Sequence, residues 1–140
     1  MPVDKSLVDA ARTEAIARWG RHAPAGAAAV YLADGCIVTS VGLDTPNEAA
    51  NLCHETGAYC EAFRRNLAVI ASACVIRLAP DAPFTVVATC GLCIERLAIW
   101  RDVVEVAVPR PDDASRWQSI PFHQLSPHYW ASPIADGSVY

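Results

Sequence analysis

Charge is scarce in this chain: Asp, Glu, Lys and Arg make up 19% of 140 residues, against 53% hydrophobic. Basic clusters are scarcer still, with Arg64-Arg65 the one adjacent pair and a formal net charge of −4. A nucleic-acid groove needs a basic stripe to neutralise phosphates, so small-molecule substrates are expected and DNA or RNA is not. No apolar run approaches the roughly 20 residues that a membrane span requires, so no membrane partner is expected. The first twenty residues are broken by Asp4, Lys5, Asp9, Arg12, Glu14 and Arg18. They hold neither a continuous apolar segment nor a small-residue cleavage pattern, and no secretory leader is expected. Six cysteines without an export signal then read as reduced thiols in a cytoplasmic protein. There is no internal repeat or low-complexity linker, and the length suits one domain over 1–140. An apolar excess in so small a chain favours a homo-oligomer.

What is present divides cleanly into elements. Leu7, Val8, Ala11, Ala15, Ile16 and Trp19 recur at three- and four-residue steps, which predicts an amphipathic helix over 4–21 capped by Asp4 or Ser6. Two apolar runs, 27–32 and 36–43, flank Ala33-Asp34-Gly35, and Asp-Gly between such runs is a hairpin signal. Residues 44–51 have loop chemistry around Pro46 and Asn47. A helix is expected over about 54–66, a central strand over 68–78, and a short approach at 84–87. A second helix follows over about 91–100 and a strand over 103–108. Residues 109–116 read as a polar turn, with a short helix near 122–125.

The chemistry is concentrated in Cys53-His54-Glu55 and Cys90-Gly91-Leu92-Cys93. Zinc that performs chemistry usually takes three protein ligands and keeps its fourth position for water. A carboxylate two residues after the first ligand is well placed to take a proton from that water. Both motifs fall at helix starts, where partial positive charge and free N–H groups favour thiolates.

At these residues the chain resembles the cytidine deaminase superfamily, in particular its small homo-oligomeric cytidine deaminase and blasticidin S deaminase branches. Cys53, Cys90 and Cys93 match the family's zinc ligands, and Glu55 its proton shuttle. The resemblance implies a three-layer α/β/α fold with a mixed central sheet of about five strands and helices on both faces. It implies Zn2+ as cofactor and hydrolytic release of ammonia from an aminopyrimidine nucleoside or base, either cytidine, deoxycytidine or a cytosine-containing analogue. It also implies a role in nucleoside metabolism and a homotetramer, with a dimer as the lesser assembly.

The chain departs from that pattern in informative places. Thr89 stands where the family has Pro, and Cys53-His54-Glu55-Thr56 where cytidine deaminases have Cys-Ala-Glu-Arg. Three thiolates and Zn2+ sum to −1, and the missing Arg would offset that charge. Arg96, one turn beyond Cys93, or Arg64 or Arg65 is expected to replace it. Gly42-Leu43-Asp44 stands where the family has Asn-x-Glu, and no aromatic precedes it between Val38 and Asp44. Asp44, Asn47 and Glu48 are therefore expected near the pocket, with His54 as pocket wall. A modified or non-standard substrate, such as blasticidin S, isocytosine or a purine, fits this altered loop as well as cytidine does.

Other readings compete. C-x-x-C also marks redox dithiols and structural zinc sites, the latter needing His54 or Cys60 as a fourth ligand. A non-catalytic deaminase-fold protein and a polynucleotide-editing enzyme are the remaining classes. Cys36, Cys60 and Cys74 are expected to be buried thiols acting as small hydrophobes. Glu95 would buttress the site or pair with Arg96 or Arg101. His123, His128, Tyr129 and Trp130 would close over a substrate or pack on a neighbouring subunit.

Overall fold

The computed structural model describes residues 2–134. Asp4 caps the first helix, α1 (Lys5–Trp19), by accepting from the Leu7 N–H at 2.9 Å. The helix ends at Gly20, whose φ of 91° is ready for a residue without Cβ. Its buried stripe, Leu7, Val8, Ala11 and Ala15, lies against the sheet. Burying one side chain of leucine size contributes about 2 kcal/mol.

The strands are β1 (Ala25–Leu32), β2 (Ile37–Ser40), β3 (Val69–Arg77), β4 (Thr85–Val87), β5 (Glu105–Arg110) and β6 (Asp113–Pro121). β1 is buried almost throughout because β2 and β3 pair with its two edges, both antiparallel, and helices cover both faces. Asp34-Gly35 makes the β1–β2 turn, with Gly35 at φ 85° and the Cys36 N–H bonded to the Asp34 carboxylate at 3.0 Å. The outer edge of β3 is divided: Ala71 and Ser72 pair in parallel with β5, while Cys74 to Ile76 pair antiparallel with β4. The order is β2-β1-β3-β5-β6, with β4 on β3.

This is the expected mixed sheet with helices on both faces, but with six strands where about five were expected. The addition is β6, which begins inside the stretch read as a polar turn and pairs antiparallel with β5 mainly over 117–121. Its residues are mostly polar because it is an edge strand, and polar edge strands lack the apolar run that signals burial. Ser119 ties it inward, donating to Glu105 at 2.6 Å and accepting from the Val3 N–H at 2.9 Å.

Two cores result. Leu7, Val8 and Ala11 pack with Ala29, Tyr31, Ala71, Ala73 and Val75 on one face. On the other, α2 (Thr56–Arg64), α3 (Gly91–Leu97) and α4 (Phe122–Leu125) bring Ala58, Tyr59, Leu97 and Phe122 against Val30, Leu32 and Val106. Alternate residues of β1 therefore serve opposite layers, as the two-residue period of a strand requires. Cys74 is buried as expected, whereas Cys36 and Cys60 are exposed. Cys36 falls in the turn just before β2, and Cys60 lies on the outer side of α2, positions that apolar neighbours in sequence do not reveal. Among the described residues no helix is long and apolar enough to cross a membrane.

Candidate metal centre and active site

The loop after β2 returns through a bridge between Leu43 and Leu52, each N–H bonded to the other's carbonyl at 3.1 and 3.0 Å. One residue later comes Cys53. The Thr56 N–H bonds the Cys53 carbonyl at 3.2 Å, so the Cys-His-Glu segment is the turn that enters α2. Cys90 is the N-cap of α3, in extended conformation, and Cys93 lies in that helix's first turn with no exposure. The ligand sulfurs of Cys53, Cys90 and Cys93 all lie within 4.8 Å of one another, with Cys53 and Cys90 at 3.3 Å.

Zinc with Zn–S bonds of about 2.3 Å would set its sulfurs roughly 3.8 Å apart in a tetrahedron. The cluster is compact enough for that, and three soft thiolates suit zinc. No fourth His, Cys, Asp or Glu joins the group among the described residues. Cys60 faces outward, and His54 is turned away toward the sheet. The donor set fits a centre with one position open to water.

Glu55 is the residue at the head of α2, 4% exposed, with Oε2 accepting from the Cys93 thiol at 3.7 Å. Burial pushes its carboxyl above the ordinary range, against backbone, Cys93 and Arg96 contributions that pull it down. Burial also raises the thiols of Cys53 and Cys93. Cys90 moves the other way. Burial opposes the shift, but the Cys93 N–H, the Cys53 thiol and the Leu92 N–H hold its thiol below the ordinary value. These thiols become ligands only as thiolates, so metal binding must release protons.

Of the three arginines considered, Arg96 reaches the cluster. Its Nη1 donates to Thr56 Oγ1 at 2.9 Å and lies 3.8 Å from Cys93 Sγ. Arg64 and Arg65 instead hold Glu61 on the outer side of α2, keeping that carboxyl down at about 2. Thr56, which stands where the family's Arg would be, is the residue that orients Arg96 instead. Glu95 pairs with neither Arg96 nor Arg101. It accepts from Tyr129 Oη at 3.0 Å and Trp130 Nε1 at 2.9 Å, fastening the aromatic tail to α3.

The four residues expected around the pocket are divided by the fold, Asp44 and His54 in one place, Asn47 and Glu48 at the exposed 3-10 turn. Asp44 and His54 line one cavity of about 240 Å³ with Trp19, Pro24, Ala25 and Gly26. Burial lowers the His54 imidazole, with Asp44 opposing, which favours the neutral ring. Asn47 is exposed and turned to local structure, its side chain accepting from the Ala49 N–H at 3.2 Å to cap the 3-10 turn Glu48–Ala50.

No protein-family model matches the chain, and no curated protein matches it by sequence. Solved structures do. The chain is 32% identical to the cytidine deaminase of Bacillus anthracis, with a TM-score of 0.84 over 94% of this chain and 92% of that one. The Mycobacterium leprae cytidine deaminase is 18% identical, at a TM-score of 0.61 over 86% and 97%. The Mycobacterium tuberculosis cytidine deaminase is 19% identical, at 0.59 over 88% and 96%; these two share the fold. A three-cysteine centre on this frame puts the chain in the class of zinc-dependent hydrolases that remove amino groups. Within that class it belongs to the cytidine deaminase superfamily.

Proposed function

We propose that this chain, as a single cytidine deaminase-like domain, hydrolytically deaminates an aminopyrimidine nucleoside or base, with cytidine and deoxycytidine first among the candidates. The observation that carries this reading is a buried carboxylate, Glu55, beside three convergent cysteines that leave one coordination position open. Cys53, Cys90 and Cys93 would hold Zn2+, which when bound acts as a Lewis acid that makes water a nucleophile at neutral pH. Glu55 would take the first proton that water loses and pass it to the ring nitrogen, then take the proton of the newly formed C–OH and deliver it to the departing amine. The C–N bond breaks, a C–O bond replaces it, and ammonia leaves with no change of oxidation state. Burial raises the Glu55 carboxyl above the ordinary range, the direction that suits a group which must both take up and give back a proton. Asp44, in a cavity walled by His54, the neighbour of Cys53, would offer a polar contact for the remainder of the substrate.

A second reading, a modified or non-standard substrate such as blasticidin S, isocytosine or a purine, draws support from one feature. Gly42 presents no side chain to a ligand, and the His54 ring lies against it. We also propose a homo-oligomer, a tetramer or a dimer. Phe63, Ile99 and Trp100 line two adjoining apolar cavities on the outer side of α2 and the turn after α3.

The test is ammonia release by zinc-loaded protein from cytidine, deoxycytidine, cytosine, isocytosine, blasticidin S and purine nucleosides. Turnover of the first two is expected. Glu55→Gln should keep the fold and the zinc while losing about 10²–10⁴-fold in rate, the usual contribution of general acid–base catalysis. Retained activity in that variant would defeat the assignment.

A further inference from the structure

His54 stands between Cys53 and Glu55, yet its ring is turned onto the sheet, against the backbones of Gly26 in β1 and Gly42 just beyond β2. A Cβ on Gly26 would come within 2.2 Å of His54 Nε2, and one on Gly42 within 3.1 Å of Nδ1. At Gly26 no side-chain-bearing residue fits without displacing the ring, while at Gly42 an added Cβ would also meet the Leu52 carbonyl, at 2.7 Å. The Gly42 N–H donates to Nδ1 at 2.8 Å, which leaves the proton of the neutral ring on Nε2. The carbonyl of His54 accepts from Ser40 Oγ at 2.5 Å, and the Leu43–Leu52 bridge closes the same loop from the other side. The segment carrying the first cysteine and the buried carboxylate is thus fastened to β2 and its extension by backbone, side-chain and ring contacts together.

We propose that His54 is a positioning residue, a peg seated between Gly26 and Gly42 that sets the Cys53 thiolate and the Glu55 carboxylate against the Cys90-x-x-Cys93 helix. The consequence for turnover rests on the deaminase reading; the consequence for metal binding does not. Ligands and proton carriers must be held within about 0.5 Å of their working geometry, and a turn released from its support loses that accuracy. The Gly42 bond occupies Nδ1, so the peg and a substrate contact through Nδ1 exclude one another.

The experiment compares His54→Ala, His54→Asn, Gly26→Ala and the Gly26→Ala/His54→Ala double variant. Zinc affinity is measured by competition with a chromophoric chelator, and kcat and KM are measured separately on zinc-saturated protein. His54→Ala is expected to weaken zinc binding and lower kcat, each by about 10–100-fold, the usual effect of losing support behind metal ligands, with KM little changed. His54→Asn, which offers Gly42 an acceptor at the same branch point, should recover most of both. Gly26→Ala should reproduce His54→Ala by pushing the ring out, and should add little to it in the double variant. Unchanged zinc affinity in His54→Ala would overturn the proposal. So would an Asn variant as impaired as the Ala variant, or a rise in KM with kcat intact. A wild-type protein silent on every substrate would defeat the deaminase reading, while the zinc affinities would still decide the role of His54.

Discussion

Arg96 supplies charge where the cysteine cluster lacks it. Its guanidinium meets both Thr56 and Cys93, bridging the start of α2 to the first turn of α3. Three thiolates around a divalent ion carry a net −1, which lowers the acidity of any water they share, and a cation against one sulfur offsets part of that. Arg96→Gln is accordingly expected to reduce turnover about 10–100-fold in zinc-saturated protein. Arg96→Lys, which keeps the charge but not the shape and reach of the guanidinium, should recover only part of the loss. Steady-state kinetics on the two variants checks this, and unchanged turnover in Arg96→Gln would remove Arg96 from the site. The same residue shows the limit of reading by position. Arg64 and Arg65 lie nearer to Cys53 in sequence than Arg96 does, yet both turn outward to Glu61.

At the level of elements, Arg77 is committed to three backbone carbonyls at once. It closes β3, is 5% exposed, and donates to the carbonyls of Ala23, Arg21 and Gly20 at 2.7, 2.6 and 2.8 Å. Its guanidinium also lies 4.7 Å from the centre of the Phe84 ring. These bonds hold the chain between α1 and β1 in place as it leaves Gly20, and with it the register of β1. Replacement by Met would leave three carbonyls without their donor. Charged-group hydrogen bonds contribute about 1.5–3 kcal/mol, so Arg77→Met should cost about 3 kcal/mol. Urea denaturation with a lowered midpoint and unchanged slope checks it. A loss under 1 kcal/mol would mean that water serves those carbonyls equally well.

At the scale of the whole molecule, the apolar excess in composition has a definite place. Phe63 is 71% exposed and Ile99 58%, and they meet around Trp100 on the layer that carries α2 and α3. Cys60, Thr56 and Arg96 border the same depression, so a partner seated there would lie next to the metal centre. Sedimentation should give a mass above that of one chain, and Phe63→Asp should bring it down toward the monomer. Leu78→Asp, at an 82% exposed position after β3, should leave assembly intact. A monomeric wild type, or a Phe63→Asp protein still fully assembled, would refute the oligomer.

What the sequence by itself determined is local. Asp4 and the three- and four-residue steps marked α1, and Asp34-Gly35 marked the first hairpin. The spacing of Cys53, Glu55, Cys90 and Cys93 marked the centre, because caps, turn residues and ligand types act over a few positions. Tertiary structure decided the rest. β6 exists because β5 offers it an edge, and its polar residues gave no run to read. Cys36 and Cys60 emerged on the surface, since apolar neighbours in sequence do not say which side of an element faces the core. Arg96 reaches Thr56 and Cys93 while Arg64 and Arg65 turn outward to Glu61, a choice made by how the helices pack. The His54 ring went to Gly26 and Gly42, 28 and 12 residues away in sequence, because their bare backbones left it that space. Each of these depends on distances through space, which the order of residues along the chain does not contain.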